Sequence, residues 1–269
     1  MSNYGIIHLS DLHIGESHTE AEQAKRLFTA IAEFYPRKPI LITGDLTDSG
    51  TERQMKQARK LLDGLAKSNP ILLVPGNHDY AYIGNICHPD AWGNWMKYLG
   101  FPLGWDTQPF TWMDGNHDGG FEGLGVWKDK DCVFIGIDSG DPKDEEACAR
   151  GYISQGMADA IKSSLKQCEG KTRIAFLHHH PFTKGPWNLF TALKGHDKLL
   201  QAVSGNCELL LFGHEHNYGV WREEKQIPLI VASHKSTQPL SSNCYMITLI
   251  DIEISETQKP SFHHRLEVI

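Results

Sequence analysis

The sequence predicts an α/β fold carried by a parallel sheet, with a second, more antiparallel sheet supplied by its C-terminal part. Three observations point there. Over the first 75 residues, short apolar runs alternate with helical patterns in the order βαβαβ. Polar clusters rich in Asp, Asn and His stand directly after five apolar runs. From residue 228 onward the chain reads as successive strands (PLIVAS, CYMITLI, FHHRLEV) with no helix between them.

Residues 5–10 (GIIHLS) form a short apolar run, the signal of a buried strand. A helix is expected over 19–35: Leu27, Phe28, Ile31 and Phe34 share a face, Thr19 and Glu22 have capping-box spacing, and Pro36 ends it. Residues 39–43 (PILIT) give the next strand. Residues 51–66 give a second amphipathic helix, with Met55, Ala58, Leu61, Leu62 and Leu65 inward and Thr51 with Gln54 as a capping pair. Residues 71–74 (ILLV) complete the unit, which right-handed crossovers make parallel. Residues 80–122 break the pattern. Rich in Gly, Pro, Asn and aromatic residues, they read as a loop-rich insertion within a single domain spanning 1–269. Regularity returns with strands at 132–138, 173–178 and 208–212 and helices at 153–167 and 196–203.

Hydrophobic residues make up 40% of the 269 and charged residues 22%, ordinary for a soluble globular protein and enough for a core that holds a rigid site. A net charge of −7 argues against a broad nucleic-acid footprint, so no stable nucleic-acid complex is expected. The six cysteines show no C-x-x-C spacing and read as buried thiols in a reducing compartment. No run approaches the roughly 20 apolar residues of a membrane span, and the N-terminus lacks the pattern of a secretory signal. A cytoplasmic protein with no membrane span is expected.

The polar clusters share one position, just past the C-terminal end of an apolar strand. They are Asp11-Leu12-His13, Gly44-Asp45-Leu46-Thr47-Asp48, Gly76-Asn77-His78-Asp79, His178-His179-His180-Pro181 and Gly213-His214-Glu215-His216. In open α/β sheets the carboxyl ends of the strands line the ligand crevice, so the five clusters converge on one edge. Carboxylate, imidazole and amide groups without thiolate suit divalent Zn, Mn or Fe. Several carboxylates gathered at one place need cations to offset their repulsion. Two metals about 3.5–4 Å apart, sharing a carboxylate, suit in-line displacement at phosphorus by activated water.

Taken in order, D-x-H, G-D-x-x-D, G-N-H-D, the His-Pro turn and G-H-x-H resemble the signature blocks of the calcineurin-like metallophosphoesterases, from Asp11 to His216. The resemblance implies a four-layer αββα sandwich with two mixed sheets and the metal site at the C-terminal strand ends. It implies one metal held by Asp11, His13 and His216, a second by Asn77, His179 and His214, and Asp45 between them. His78 would donate a hydrogen bond or proton to the phosphate or leaving oxygen, with Asp79 orienting its imidazole. Asp48 stands where purple acid phosphatases carry a metal-binding Tyr, so an iron–tyrosinate site is not implied; Asp48 either caps the next helix or supports the site.

Two choices remain open at this level. G-N-H-D recurs at residues 115–118, but only the first copy follows an apolar strand. Among the three consecutive histidines, the family pattern of His, one residue, then Pro selects His179, with His178 and His180 as alternatives.

The block spacing and the H-H-P-F turn resemble the branch holding cyclic-nucleotide and glycerophosphodiester phosphodiesterases. The implied activity is therefore hydrolysis of a small phosphodiester by a hydroxide between two divalent metals (Mn, Fe or Zn), on a small phosphorylated substrate. A phosphomonoesterase, a nucleotide-sugar or lipid pyrophosphatase and a nuclease are the alternatives. A non-catalytic scaffold fits less well, because every ligand position is filled. Most aromatic rings of 80–122 are expected to build a small satellite core, with at least one ring of the region, Trp92 or Trp95 foremost, lining the metal cleft.

Overall fold

The computed structural model describes residues 2–15, 17–82, 84–87, 89–100, 111–114, 123–140, 149–182, 191–241, 244–255 and 259–269. The N-terminal half of the site stands on β1 (Ser2–Leu9), β2 (Ile40–Thr43) and β3 (Ile71–Val74), joined through helices α1 (His18–Phe34) and α2 (Glu52–Leu65). These three strands are parallel, with Ile7 opposite Ile40 and Ile40 opposite Ile71. After β3 come a one-turn helix α3 (Asn77–Tyr80), a two-stranded hairpin of β4 (Ala81–Tyr82) and β5 (Ile86–Cys87), and helix α4 (Ala91–Tyr98).

A second sheet follows. Its strands are β6 (Thr111–Asp114), β7 (Gly123–Lys128), β8 (Cys132–Ile137), β9 (Thr172–Phe176), β10 (Leu209–Phe212), β11 (Gly219–Glu224) and β12 (Ile227–Ala232), with helices α5 (Gln155–Gln167) and α6 (His196–Val203). The spatial order is β11-β12-β10-β9-β8-β7-β6, parallel through β12, β10, β9 and β8 and antiparallel at both edges. The chain then returns to the first sheet through β13 (Pro239–Ser241), β14 (Cys244–Ile254) and β15 (Ser261–Val268).

Strand alternation assigns each side chain to a layer. Ile40, Ile42, Ile71 and Leu73 face outward into a core shared with α1 and α2, while Leu41, Leu72 and Val74 face inward. In the second sheet Ala175, Leu210, Phe212 and Ile230 pack toward α5 and α6, and Ile174, Phe176, Leu209, Leu211 and Val231 face inward. The two inner faces make a common middle core. The layers are therefore helix, sheet, sheet, helix, with two mixed sheets, as expected. All five polar clusters emerge from one edge.

The structure corrects several sequence expectations. Helix α1 begins one residue earlier and is capped by Ser17, whose side chain accepts from Thr19 N at 3.0 Å, so Thr19 is not the cap. The Thr51 cap of α2 is present, but Gln54 turns its amide to Gly15 O (3.1 Å) and Ser49 N (2.7 Å), tying the loop after β1 to that after β2. The C-terminal strands do not form a sheet of their own. β12 runs parallel to β10, whereas β14 pairs antiparallel with β1, placing Thr248 opposite His8. Strands β7 and β11 were not anticipated. Part of 80–122 is regular, since α4 packs on α2 and β6 extends the second sheet; residues 101–110 and 115–122 lie outside the described residues, and with them the second G-N-H-D. No helix among the described residues is long and apolar enough to cross a membrane.

Candidate metal centre

The site is assembled by neighbouring loops that continue the strand pairing beyond the sheet. Past β1 and β2 the backbones stay in register: Asp11 N donates to Gly44 O (3.1 Å), His13 N to Asp45 O (2.9 Å) and Ile14 N to Leu46 O (2.9 Å). The second sheet is tied in by Gly213 N to His178 O (3.0 Å) and by His214 N to Asp11 Oδ2 (3.2 Å). Nine non-glycine residues among those described have positive φ, and five belong to this cluster: Asp11 (55°), His13 (46°), Asp45 (49°), His214 (77°) and His216 (55°). Left-handed backbone at non-glycine positions costs on the order of 1–3 kcal/mol each and concentrates where function demands it. The preceding glycines are required by space. A Cβ on Gly213 would lie 2.7 Å from Asp11 Oδ2, and one on Gly76 would strike Asp45 Oδ1.

Two groups of potential ligand atoms share Asp45. In the first, His13 Nε2 and His216 Nε2 are 3.2 Å apart, His216 Nε2 is 3.4 Å from Asp11 Oδ1, and His13 Nε2 is 3.9 Å from Asp45 Oδ2. In the second, His178 Nε2, His214 Nδ1 and Asn77 Oδ1 form a triangle with each side 3.1 Å, and His178 Nε2 lies 3.3 Å from Asp45 Oδ2.

Donor accounting shows what the triangle lacks. His178 Nδ1 faces the carbonyl of Thr43 at 2.7 Å, so that nitrogen carries the proton. His214 Nε2 faces Thr191 O at 3.2 Å, and Asn77 Nδ2 donates to Gly84 O at 3.1 Å. In the metal-free protein His178 Nε2 carries a second proton toward Asp45 and Asn77; once that proton leaves, two lone pairs and an amide oxygen converge on one point. A cation fits there. In the first group Asp11 Oδ1 is buried without a hydrogen bond, and two imidazole nitrogens again face each other. Nitrogen and oxygen donors without sulfur fit Zn, Mn or Fe at both places.

Electrostatics follow from this crowding. Burial alone would raise the Asp45 carboxyl, but His178, His78 and His13 hold it well below its ordinary value. Burial also raises Asp11, which His216 and His178 outweigh, leaving it lowered. Burial opposes a charge on His178, yet Asp45 and then Asp11 raise its pKa to about 9. His214 falls to about 3, through burial and then the neighbouring His178.

Of the residues expected from sequence, Asp11, His13, Asp45, Asn77, His214 and His216 meet here. His179 lies beside these residues, outside the triangle, and its Nε2 is buried without a hydrogen bond. Its Nδ1 pairs with Ser139 Oγ at 2.9 Å, and its ring packs 4.7 Å from that of His214, while His178 occupies the place beside Asp45 and Asn77. Strand β9 ends at Phe176, and His178, not His179, is carried across to the carbonyl end of β2 at Thr43.

Asp79 also differs from expectation. Its carboxylate accepts from Leu46 N (3.1 Å), Thr47 N (2.8 Å), Thr47 Oγ1 (2.8 Å) and Gly76 N (2.9 Å), bracing two site loops, and it does not orient His78. Burial and then Asp45 raise its pKa to about 6. His78 is oriented by Asp48, whose backbone oxygen accepts from Nδ1 at 2.8 Å; the His78 ring meets His13 edge-on at 4.5 Å. Asp48 is thus a support, and Thr51 caps α2. Trp95 is fully buried in the core beneath α2 and does not line the cleft, and Trp92 packs on Tyr80 with ring centres 6.0 Å apart.

A calcineurin-like phosphoesterase family model matches residues 4–218. The chain belongs to that family, whose members use divalent metals, and is a metal-dependent phosphoric ester hydrolase. It is 25% identical over 223 residues to a probable cyclic nucleotide phosphodiesterase of Coxiella burnetii, covering 79% of this chain and 75% of the relative. It is 24% identical over 243 residues to a probable glycerophosphodiester phosphodiesterase of Arcobacter nitrofigilis, covering 85% and 77%. Among solved structures, a 5′-nucleotidase precursor of Thermus thermophilus superposes with a TM-score of 0.55 at 12% identity. That match covers all of this chain and 54% of the other, and it speaks for the fold alone.

Proposed function

We propose that this protein hydrolyses a small phosphodiester with a centre of two divalent metals, and that residues 1–269 act as one catalytic unit. One metal would be held by Asp11, His13, Asp45 and His216, the other by Asp45, Asn77, His178 and His214, with His178 taking the role expected of His179. The observation that carries the reading is the triangle of His178 Nε2, His214 Nδ1 and Asn77 Oδ1, 3.1 Å on each side, beside Asp45. The phosphodiesterase names of the two relatives support a diester over a monoester. When bound, the metals would supply Lewis acidity toward phosphate oxygens and lower the pKa of water toward about 7.

The chain's own residues do the rest. Asp45 and Asp11, buried and ionised, fix the charge that the site must compensate. His78 keeps its Nδ1 proton against Asp48 O, so in the imidazolium form its Nε2 would give up the second proton to the departing alkoxide and be left a neutral ring. Asp79 keeps the loops after β2 and β3 at fixed separation. The test is a comparison of bis-p-nitrophenyl phosphate, p-nitrophenyl phosphate and a panel of cyclic nucleotides with protein of measured metal content. The reading expects metal-dependent turnover with diesters preferred; a strong monoester preference would reject the diester assignment.

A further inference from the structure

The turn between β4 and β5 comes back against the two residues that follow β3 into the site. Gly84 N donates to Ala81 O at 3.3 Å and Asn85 N to Tyr82 O at 3.1 Å. Gly84 itself is buried and has a φ of +71°. Its carbonyl accepts from Asn77 Nδ2 at 3.1 Å, and the other end of that amide, Oδ1, stands 3.1 Å from both His178 Nε2 and His214 Nδ1. A Cβ at residue 84 would lie 2.5 Å from His78 Nε2 and 2.6 Å from Asn77 Nδ2. Neither side chain can yield without leaving its station. His78 Nδ1 is held on Asp48 O at 2.8 Å, and the Asn77 amide is held at both ends. Further along the same segment, Asn94 on α4 donates to Gly50 O at 3.2 Å, in the loop that carries Asp45 and Asp48. The segment after β3 is therefore fastened to two neighbouring loops of the site.

A carbonyl oxygen can only accept a hydrogen bond. With Gly84 O on one side, the Asn77 amide presents its NH2 group there and leaves its oxygen toward the two imidazoles. A flipped amide would set two carbonyl oxygens against each other and turn toward the centre a nitrogen with no lone pair to give. Outer hydrogen bonds of this kind orient metal ligands and tune their affinity. We propose that Gly84 is a positioning residue: its carbonyl selects the metal-binding orientation of Asn77. Only glycine lets that carbonyl come so close, because any side chain there would strike His78 and Asn77 and would sit on left-handed backbone. This rests on the metal centre of the proposed function and deepens it.

The test titrates Mn into the metal-stripped full chain by calorimetry, as wild type, Gly84→Ala, Asn77→Ala and the double variant. Gly84→Ala should weaken one metal equivalent by about 10–100-fold and leave the other unchanged. Added to Asn77→Ala it should cause no further loss, because the group it positions is already gone. Wild-type affinities in Gly84→Ala, equal weakening of both equivalents, or a further loss in the double variant would each overturn the proposal. Should Gly84→Ala fail to fold, the wild type decides alone: in its Zn-loaded form the Asn77 carboxamide protons should be protected from solvent exchange, and freely exchanging protons would overturn the proposal. Asn77→Ala with both affinities unaltered would sink the metal reading and Gly84 with it. The expected metal pattern in a protein that cleaves no bis-p-nitrophenyl phosphate would support Gly84 and sink only the phosphoester reading. Metal-dependent cleavage with Gly84→Ala binding Mn as wild type does would do the reverse.

Discussion

His178 Nε2 and Asn77 Oδ1 face each other at 3.1 Å, although His178 carries its proton on Nδ1 against Thr43 O and Asn77 turns its amide nitrogen to Gly84 O. A metal bound here takes the place of the proton that His178 Nε2 carries in the metal-free protein, and the surrounding hydrogen bonds hold the two groups ready for it. His178→Ala should therefore remove about one of two metal equivalents, because one imidazole ligand is lost from one site only. His179→Ala should keep both, since that ring is bonded to Ser139. Metal analysis of the two purified variants decides. The opposite pattern would restore His179 as the ligand.

Asp79 accepts from three backbone amides and one hydroxyl in the loops after β2 and β3. Asp79→Ala should act as a stability mutation, leaving buried donors unpaired at on the order of 3 kcal/mol in total, a fall in Tm of roughly 5–10 °C. Calorimetry of the metal-loaded variant measures this. An unaltered Tm with a large loss of turnover would return Asp79 to the role of orienting His78.

How much of this was legible in the sequence differs by element. β2 and β3 could be read because ILIT and ILLV face a core on both sides and are bounded by Gly-Asp and Pro-Gly-Asn. The ligand clusters could be read because each follows such a strand. The pairing of β14 with β1 could not, since it joins residues some 240 positions apart and no local period encodes a partner. β11 (GVWREE) is a polar edge strand, and β7 (GLGVWK) carries two glycines, so both fall short of the strand signal. His179 was chosen from the family pattern of His, one residue, then Pro, and that pattern does not say which ring reaches across to Thr43 O. Asp79 was misread because its partners are backbone amides, which no side-chain pattern displays. Trp95 was one of the two rings favoured for the cleft because aromatic content does not reveal that α4 folds back on α2.

His78 lies beside the centre without being among the atoms of the His178 triangle or the His13–His216 pair, and its Nδ1 is fixed on Asp48 O. His78→Ala should keep metal content and lower kcat by about 10²–10⁴-fold for poor leaving groups. The loss should shrink with p-nitrophenolate, which departs with little protonation. Equal losses across a leaving-group series would make His78 a charge stabiliser and not a proton donor.

Metal removal should expose a pH-dependent weakness. In the metal-free protein His178 has a folded pKa of about 9, set by Asp45 and Asp11 against the effect of burial, compared with 6.5 in the unfolded chain. Its stabilising contribution is fully present below pH 6.5 and is lost as pH rises through about 9, amounting to on the order of 3 kcal/mol. Thermal melts of chelated protein between pH 6.5 and 9 should show Tm falling with pH. Metal-loaded protein should show a much flatter profile, because the cation replaces the proton. Parallel profiles with and without metal would count against His178 as a ligand.

Asp45 is the single carboxylate common to both ligand groups, and its oxygen lies 3.3 Å from His178 Nε2 and 3.9 Å from His13 Nε2. The most direct test of a shared two-metal centre is therefore the metal content of wild type and Asp45→Ala after reconstitution and dialysis. Wild type should hold about two equivalents of Mn, Fe or Zn, and Asp45→Ala close to none, because removing the shared carboxylate disables both sites at once. A wild type that is fully active with at most one equivalent, or an Asp45→Ala variant that keeps two, would contradict the account.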